Sequence, residues 1–395
     1  MKIRKCFAEL SAHLTQRQVT VITGMRRVGK SMAIQYLLDK VEHTNKILLD
    51  CERVEIRVLF NTPHYESIVE HLQLQGLNFS SPCVIALDEI QLVETLPSFI
   101  KYVYDTYGAK FIVSGSSSYY IKNRFSESLA GRKRIFEMYP LTFEEFLDFK
   151  ESGIKNIATY AWKPYSKPWY ERCHKLYEEY LRYGGFPEVV LQKNKKNKQE
   201  LLRDIINSYI ELDVKLLSDF SISEDLYKIA KLLAARAGNK IDYSKLGSIA
   251  GINRLKLKNY LDLFEHTYFV YLLIPYSKNI DQAISQQPKL FFSDNGILNE
   301  LAGNQLSSGQ LFENAIAAQL IPLVDNLNYY QRKTGQEIDF IIDERKGIEV
   351  KETAIEQDLF VLKQRTESIK LKEFTLISRY AHHQFKDFVW GGNIF

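Results

Sequence analysis

The stretch VITGMRRVGKSMAIQ at residues 21–35 constrains the fold of this chain more than any other. An apolar run leads into a loop that matches G-x-x-x-x-G-K-[ST] at Gly24, Gly29, Lys30 and Ser31. The first glycine lets the chain leave a strand sharply, and the second lets the backbone approach a ligand closely. Loop amides and the start of the next helix then face a phosphate chain. The spacing predicts that Lys30 reaches the β- and γ-phosphates of a nucleotide and that Ser31 binds Mg²⁺. A chance glycine turn before a helix is the alternative.

Length and composition indicate the broad class of the protein. A chain of 395 residues predicts two or three domains, and 45% hydrophobic with 25% charged residues is typical of globular proteins. The net charge of +4 is too small to imply nucleic-acid binding by itself, although a local basic face remains possible. Widely spaced cysteines predict free thiols rather than a zinc or redox site. Because no signal-like stretch and no run of about eighteen apolar residues occurs, we expect a cytoplasmic protein without a membrane span.

Strand-like and helix-like stretches alternate through the first 150 residues. Apolar runs predict strands at 18–23, 46–50, 83–89, 110–116 and 134–140. Helices are expected between them, near 31–40, 64–75, 96–107 and 117–130. Such alternation predicts an α/β fold with a parallel sheet covered by helices on both faces.

Polar residues follow two of these predicted strands. The third strand ends in Asp88 and Glu89, where a carboxylate beside a phosphate-binding loop could hold Mg²⁺ through Asp88. Glu89 could then polarise the attacking water. A pair of solvated acids at a strand end is the alternative. The fourth strand runs into Ser114, Ser116 and Ser117, whose hydroxyls could sense the γ-phosphate or could simply form a serine-rich turn.

These segments resemble the AAA+ ATPases, and most closely a prokaryotic group with a GxRRVGK[ST] loop, a hhhhDEIQ strand and an SGSSS strand end. The segments ESLAGRKRIFEMYPLTFEEF (127–146) and YLRYGGFPEVV (180–190) are similar to that family as well. The resemblance implies a P-loop NTPase sheet with ATP and Mg²⁺ as its ligands, and a homo-oligomer is compatible with it. Carried over by position, it implies nucleotide binding by Gly24, Arg27, Gly29, Lys30, Ser31, Met32, Ser114 and Ser116.

The same resemblance implies a catalytic group of Lys30, Glu89 and Arg132. Arg132 is the candidate for an arginine that contacts the γ-phosphate, either in its own subunit or from a neighbouring one. A surface salt bridge is the alternative for this residue.

The middle of the chain is expected to be mostly helical, with a helical lid or insertion at 151–223 and a winged helix-turn-helix at 224–280. Aromatic and basic residues at 151–180 predict an irregular insertion, whose rings could stack on bases or simply pack. The third helix of the winged-helix pattern presents its basic residues near its start, where they could contact DNA. These are Arg254, Lys256 and Lys258. An interaction module of the same fold that binds no nucleic acid is the alternative.

Residues 281–395 predict a second α/β domain with a candidate site of its own. Asp339 lies ten residues before Glu349, and Glu349 shares a strand face with Lys351. The two carboxylates could hold one or two Mg²⁺ ions, and Lys351 could orient a water or stabilise charge on phosphate. The pattern resembles the PD-(D/E)xK restriction-endonuclease-like fold, in which an acid of the first helix, here Glu313, often assists.

The AAA+ family resembled above commonly carries such a domain, known as DUF4143, often without demonstrated cleavage. A degenerate nuclease fold that only binds, and a salt-bridged sheet edge, are the alternatives to a metal-competent site.

Together these patterns predict an ATPase that couples its nucleotide state to DNA binding or processing through the winged helix and the nuclease-like domain. The main alternative is a non-catalytic ATP-binding scaffold or regulatory protein whose C-terminal domain docks a protein partner. A metabolite kinase is a third candidate, but the DEIQ strand end and the long C-terminal half argue against it.

Overall fold

The structure, a computed structural model, describes residues 2–116, 129–154, 157–214, 223–277, 286–332 and 335–395. Contacts divide the chain into two compact units. The first unit consists of Met1–Tyr139, Leu212–Asp219 and His266–Tyr268, and the second of Pro140–Glu211, Phe220–Glu265 and Phe269–Phe395. The predicted helix at 117–130 and the serine at position 117 lie almost entirely outside the described residues.

The first unit is built on a five-stranded parallel sheet, in the order β2-β3-β4-β1-β5. Its strands are β1 (Val19–Thr23), β2 (Lys46–Asp50), β3 (Val84–Asp88), β4 (Lys110–Gly115) and β5 (Lys133–Glu137). Its helices are α1 (Cys6–His13), α2 (Lys30–Lys40), α3 (Val54–Phe60), α4 (Tyr65–Leu74) and α5 (Leu96–Tyr107). The prediction of an α/β fold with a parallel sheet is therefore confirmed.

The strand order brings three chain segments to one edge of this sheet. All five residues of β1 are buried, as are the first four of β3, which is the pattern of central strands covered on both faces. Since β4 lies between β1 and β3 and all three run parallel, their carboxyl ends meet. The glycine loop, the pair Asp88–Glu89 and the end of β4 therefore share that edge.

The second unit contains two sheets and most of the helices. Its described helices are α6 (Phe143–Phe149), α7 (Lys167–Tyr183), α8 (Pro187–Leu191), α9 (Lys195–Ser208), α10 (Ser223–Ala234), α11 (Tyr243–Ala250), α12 (Arg254–His266), α13 (Asn295–Ala302), α14 (Ser308–Leu320) and α15 (Glu356–Ser368). A π-helical turn at Tyr209–Val214 follows α9. The strands β6 (Val270–Leu273) and β7 (Lys289–Phe292) pair antiparallel.

The larger sheet of the second unit has five strands in the order β12-β11-β10-β9-β8. These are β8 (Leu327–Gln331), β9 (Glu337–Ile342), β10 (Lys346–Thr353), β11 (Glu373–Tyr380) and β12 (Val389–Trp390). The hairpin of β8 and β9 and the pair β9–β10 are antiparallel, whereas β10, β11 and β12 run parallel. The sheet is therefore mixed. Helix α15 lies between the parallel strands β10 and β11 in the chain and connects them.

One hydrophobic core joins chain segments that the sequence assigned to separate domains. Phe143, Tyr177, Phe312, Ile348 and Trp390 belong to a single buried cluster. The segments predicted as a lid (151–223) and as a C-terminal domain (281–395) therefore share a core. Contacts also end the N-terminal part of the first unit at Tyr139 rather than at residue 150.

The prediction of an irregular insertion at 151–180 is wrong for the residues of α7, which form a continuous helix of 17 residues. Trp169 is only 4% exposed, and its indole N–H donates to the side chain of Asn393 over 2.7 Å. Its ring stacks on Tyr160 with 4.1 Å between ring centroids. Apolar and aromatic side chains at helical spacing therefore pack inside the protein here rather than presenting a surface for bases.

Two expectations concern the chain as a whole. All four cysteines are free thiols, and three of them are buried. Every helix in the described ranges is too short or too polar to cross a lipid bilayer.

Candidate functional site

The loop after β1 has the backbone conformation that its glycines permit. Gly24 has φ +148° and Gly29 has φ +103°, both in the region that favours glycine. A Cβ on Gly24 would lie 2.1 Å from the carbonyl oxygen of Met138, because the Met138 amide donates to Thr23 over 2.7 Å. Gly24 is therefore required by the close approach of the chain after β5, a reason that the loop pattern alone does not reveal.

The loop ends in the first turn of α2. Gly29 is the residue before the helix, and no side chain caps the first-turn amides. Ser31 and Met32 are exposed on this turn, and Arg27 is exposed in the loop with φ +66°. Amides at an uncapped helix start, beside a loop of left-handed residues, fit a phosphate chain.

The ammonium group of Lys30 lies against backbone carbonyls and one carboxylate. Its Nζ donates to the carbonyls of Gly24 (3.0 Å) and Met25 (3.2 Å) and lies 3.7 Å from Oε1 of Glu89. Lys30 is 4% exposed and Glu89 is 8% exposed. Burial alone would raise the pKa of Glu89, but Lys30 and a neighbouring amide outweigh it and hold that pKa below its ordinary value. Glu89 is therefore ionised at neutral pH.

Asp88 is held by the end of β4. The Ser114 hydroxyl donates to the Asp88 carboxylate, and the amide of Glu89 donates to Ser114 over 3.3 Å. Glu89 itself has φ +52°, an uncommon conformation for a residue with a side chain and one that is concentrated at functional sites. These bonds hold the Asp88 carboxylate and the backbone of Glu89 in place at the end of β3.

Gln91 connects Glu89 to the residue after β4. Its amide donates to Oε2 of Glu89 over 2.5 Å and to the hydroxyl of Ser116 over 2.9 Å. The sequence analysis assigned no role to Gln91. The signal that could have found it is its position two residues after Glu89 in the segment DEIQ. Ser114 and Ser116 are both buried. The described bonds of Ser114 reach Asp88 and the amide of Glu89, and that of Ser116 reaches Gln91. A direct nucleotide contact for either serine stays a prediction.

Arg132 lies at the edge of the sheet opposite the loop. Its carbonyl accepts the amide of Val19 at the amino end of β1, and its guanidinium pairs with Asp105 over 3.0 and 3.3 Å. Because β1 and β5 are parallel, the loop follows their other end. A γ-phosphate contact within the same chain is incompatible with this arrangement, and a contact from a second copy stays a prediction.

The predicted basic residues of the middle region lie on α12. The Asn253 side chain accepts the amide of Lys256 over 2.8 Å and so caps the helix. Arg254 and Lys258 are exposed. The ammonium of Lys256 is 4.0 Å from Asp225, so two of the three predicted DNA-contacting side chains are more accessible than the third.

The carboxylates predicted at the C-terminal site are brought together by the pairing of β9 and β10. Ile348 pairs with Phe340, and this register leads to Asp339 beside Glu349. The amide of Val350 donates to Asp339 over 2.7 Å, and Nζ of Lys351 lies 2.7 Å from Oε1 of Glu349. The sequence-based prediction that these residues are neighbours agrees with this register.

Three further residues belong to the same cluster. Lys289 on β7 lies 3.4 Å from Oε1 of Glu313 on α14 and also forms an ion pair with Glu337. Arg365 on α15 lies 3.5 Å from Oε1 of Glu349 and donates to the backbone carbonyl of Glu337 over 2.6 Å. Lys289, Glu337 and Arg365 were not predicted from the sequence, because they come from separate elements and no spacing along the chain relates them.

The charged groups of this cluster shift one another's pKa values. Burial raises the pKa of Asp339, and burial together with the Asp339 carboxylate raises the pKa values of Glu313 and Glu349. Burial would lower the pKa of Lys289, but Glu313, Asp339 and Glu337 outweigh it and raise that pKa. Lys289 is therefore charged, and the carboxyl groups retain protons to higher pH than isolated ones do.

The cluster does not fit a divalent metal ion as it stands. Within the described parts of the chain, no three His, Cys, Asp or Glu side chains are arranged to hold a metal. Glu313 faces Lys289, and Glu349 faces Lys351. Of the two carboxylates predicted to bind Mg²⁺, Glu349 thus has a lysine partner, and Asp339 accepts the amide of Val350.

Family models match three successive parts of the sequence. Residues 16–147 match a model described as AAA domain. Residues 174–308 and 308–389 match two domains of unknown function, DUF8612 and DUF4143. The expected resemblance to AAA and DUF4143 proteins is therefore confirmed. With the strand order, the first match gives the N-terminal unit an AAA-type P-loop fold, which implies nucleotide binding.

Similar proteins occur in archaea and bacteria. An uncharacterized protein of Methanocaldococcus jannaschii is 26% identical over 382 residues, which cover 93% of this chain and 83% of the relative. An uncharacterized protein of Haemophilus influenzae is 24% identical over 343 residues, which cover 84% of this chain and 80% of the relative.

Among solved structures, the Aeropyrum pernix ORC1 protein in complex with DNA has a TM-score of 0.34 at 11% identity. The alignment covers 75% of this chain and 91% of that one. The Thermotoga maritima RuvB Holliday junction branch migration motor has a TM-score of 0.33 at 15% identity and covers 68% and 87% of the two chains.

Proposed function

We propose that the first unit binds ATP with Mg²⁺ and hydrolyses it. The observation that supports this most directly is the position of Lys30 and Glu89, 3.7 Å apart at the carboxyl edge of a parallel sheet and directly after a glycine loop. A buried cation and a buried, ionised carboxylate at that edge are the groups that in-line attack on a γ-phosphate requires. The uncapped start of α2 adds backbone amides for the phosphates.

Each residue has a distinct role in this proposal. Lys30 leaves the carbonyls of Gly24 and Met25 and contacts the β- and γ-phosphates. Glu89 orients the attacking water and accepts its proton as the bond between the γ-phosphorus and the leaving oxygen breaks. Ser31 and Asp88 would hold Mg²⁺, which neutralises charge on the phosphates. Arg27 and Met32 would border the nucleotide.

Replacement of Lys30 tests this proposal. Lys30→Ala is expected to abolish ATP turnover in a pure preparation and to weaken ATP binding, measured by phosphate release and by titration calorimetry with ATP and Mg²⁺. Lys40→Ala, at the other end of α2, is the matched control and should behave as the wild type. Unchanged hydrolysis by a folded Lys30→Ala protein would refute the assignment.

We also propose that the nucleotide state controls DNA binding through α10, α11, α12 and the β6–β7 pair. The order of three helices followed by a strand pair is that of a winged helix, and the first two turns of α12 carry exposed Arg254 and Lys258. An assembly of several copies, in which Arg132 contacts the nucleotide of a neighbour, completes the proposal.

The salt dependence of DNA binding tests the role of α12. Arg254→Ala and Lys258→Ala should each weaken binding at all sequences and lower the salt slope by about one. Lys256→Ala should have a smaller effect, because Asp225 already lies near its ammonium group. Lys363→Ala, an exposed lysine on α15, is the control. Equal effects of all four substitutions would argue for non-specific attraction rather than a site on α12.

For the C-terminal part we propose a nuclease-like fold that binds without cutting. The element order α14-β8-β9-β10-α15-β11 and the positions of Glu313, Asp339, Glu349 and Lys351 support the resemblance to PD-(D/E)xK proteins. Since the carboxylates do not fit a divalent ion, we derive no cleavage step. This favours the role of the C-terminal unit as a docking module for DNA or a protein.

Incubation of the protein with plasmid DNA and Mg²⁺ or Mn²⁺ tests this second part. We expect no cleavage. Cleavage that is lost in both Asp339→Ala and Glu349→Ala would establish a nuclease instead. Cleavage retained in both variants would identify a contaminant and leave the wild-type chain inactive, as proposed.

A further inference from the structure

The carboxylate cluster of the second unit contains its own cation. The geometry points to Lys289 as a resident cation that takes the place of a metal ion: the wild-type cluster holds no divalent metal, and removal of the Lys289 ammonium turns the cluster into a metal site. This inference goes beyond ATP hydrolysis, which involves other residues, and concerns only the C-terminal part.

Lys289 lies deep in the cluster. It is 6% exposed, although lysine is almost never buried without partners. Its Nζ is 3.4 Å from Oε1 of Glu313, pairs with Glu337, and lies 5.5 Å from the centroid of the Tyr329 ring. Acids from a helix and a strand therefore converge on one ammonium group, as they would on a metal ion.

Three cations already occupy the cluster. Among the described residues, Glu313, Glu337, Asp339 and Glu349 meet Lys289, Lys351 and Arg365. A divalent ion that entered this cluster would have to displace at least one of these cations, because like charges at short distance in a buried site repel each other strongly.

One ligand position remains open. Oε2 of Glu349 is buried and has no hydrogen-bond partner among the described residues, and Glu349 as a whole is 6% exposed. Loss of Lys289 would leave excess negative charge on its two former partners and on the carboxylate of Asp339, which lies next to Glu349 in the sheet register. Oxygen ligands of this kind suit Mg²⁺ and Mn²⁺.

Binding of Mn²⁺ to nucleotide-free, full-length protein tests the inference, because the phosphates needed at the first unit are then absent. Electron paramagnetic resonance of free Mn²⁺ reports the bound fraction without any activity assay. We expect the cluster of the wild type to bind no Mn²⁺, so Asp339→Asn should leave the Mn²⁺ binding of the protein unchanged. Stoichiometric binding by the wild type, lost in Asp339→Asn, would overturn the inference whatever the variants do.

The gain of metal is measured in Lys289→Met. Its Mn²⁺ affinity should rise about tenfold or more, because one nearby positive charge is removed, and Asp339→Asn in the same background should reverse the gain. Lys240→Met is the matched control. Lys240 forms a backbone β-bridge with Lys289, but the side chain of Lys240 is exposed.

A second variant with an unchanged net charge controls for a failure of Lys289→Met to fold. If Lys289→Met does not fold, Lys289→Met with Glu313→Gln preserves the net charge and keeps three carboxylates, so it should fold and gain Mn²⁺ affinity. A folded variant that lacks Lys289 and binds Mn²⁺ no better than the wild type would refute the inference.

Discussion

Nζ of Lys30 lies 3.7 Å from Oε1 of Glu89, and the two side chains are only 3% and 10% exposed. The residue proposed to bind phosphate thus forms an ion pair with the residue proposed to orient water. In the proposed reaction, phosphates that attract Lys30 would draw it away from Glu89 and from its two backbone carbonyls. Nucleotide binding and release of the Glu89 carboxylate would then be coupled through one charge pair.

Neutralising Glu89 should separate these two steps. We expect Glu89→Gln to bind ATP within a few-fold of the wild type, since Lys30 keeps its carbonyl partners. Turnover should fall by about 10²–10⁴-fold, as is typical when a general base is removed. Phosphate release and ATP calorimetry measure the two effects, and Glu70→Gln, an exposed acid of α4, is the control. Full activity of Glu89→Gln would assign the water to another residue.

Gln91 should act through Glu89 rather than on ATP. Gln91→Met removes both of its bonds, so we expect kcat to fall about tenfold while the affinity for ATP changes little. Gln91→Glu should place a like charge beside Glu89 and shift the acidic limb of the pH–rate profile to higher pH. Gln35→Met on α2 is the control. A merely structural role for Gln91 would leave the pH profile unchanged.

The two loop glycines should respond differently to alanine. Gly24→Ala forces a Cβ to within 2.1 Å of the Met138 carbonyl, so we expect a loss of about 3 kcal/mol or more in the free energy of unfolding. The nearest atom to a Cβ on Gly29 is 3.9 Å away, so only its φ of +103° opposes the change, at about 1–3 kcal/mol.

Gly76→Ala provides the comparison for these two variants in urea unfolding. Gly76 has φ +97°, and no atom lies within 4 Å of the place that a Cβ would occupy, so it isolates the cost of the backbone angle. Equal losses for Gly24→Ala and Gly76→Ala would show that the contact with Met138 is unimportant. Gly29→Ala should lose about as much stability as Gly76→Ala, but of these two variants only Gly29→Ala should weaken ATP binding.

His13 should make the first unit sensitive to acid. Its Nδ1 lies 2.9 Å from the Thr20 hydroxyl, and its Nε2 is buried without a hydrogen-bond partner among the described residues. Burial, and then Lys110, lower the pKa of His13. Below pH about 6.5, His13 therefore binds a proton in the unfolded chain but stays neutral in the folded chain. The free energy of unfolding then falls as the pH falls.

Unfolding between pH 7.5 and about 5.5 measures this effect, with a slope of at most about 1.4 kcal/mol per pH unit from this residue. His13→Asn should flatten the pH dependence, whereas His43→Asn, an exposed histidine, should leave it as in the wild type. An unchanged slope in His13→Asn would show that other groups control acid sensitivity.

The N-terminal sheet was accessible from the sequence because its signals are local. An apolar run such as Val84–Asp88, buried for four residues and followed by acids, indicates a central strand without reference to the rest of the chain. The order of Gly24, Gly29, Lys30 and Ser31 fixes a turn and a helix start in the same local way. The caps of α11 by Asp242 and of α12 by Asn253 are equally local, since each side chain accepts amides only two or three residues further along the chain.

The sequence by itself determined the strands, the loop and the acids at the strand ends, since each depends on residues close together in the chain. Only the tertiary structure decided that Arg132 faces away from its own loop, that Trp169 is buried, and that Lys289 enters the carboxylate cluster. Those outcomes depend on strand order and on contacts between elements far apart in sequence. A charge such as that of Lys289 has no partner until the chain has folded, so its role cannot be read from spacing.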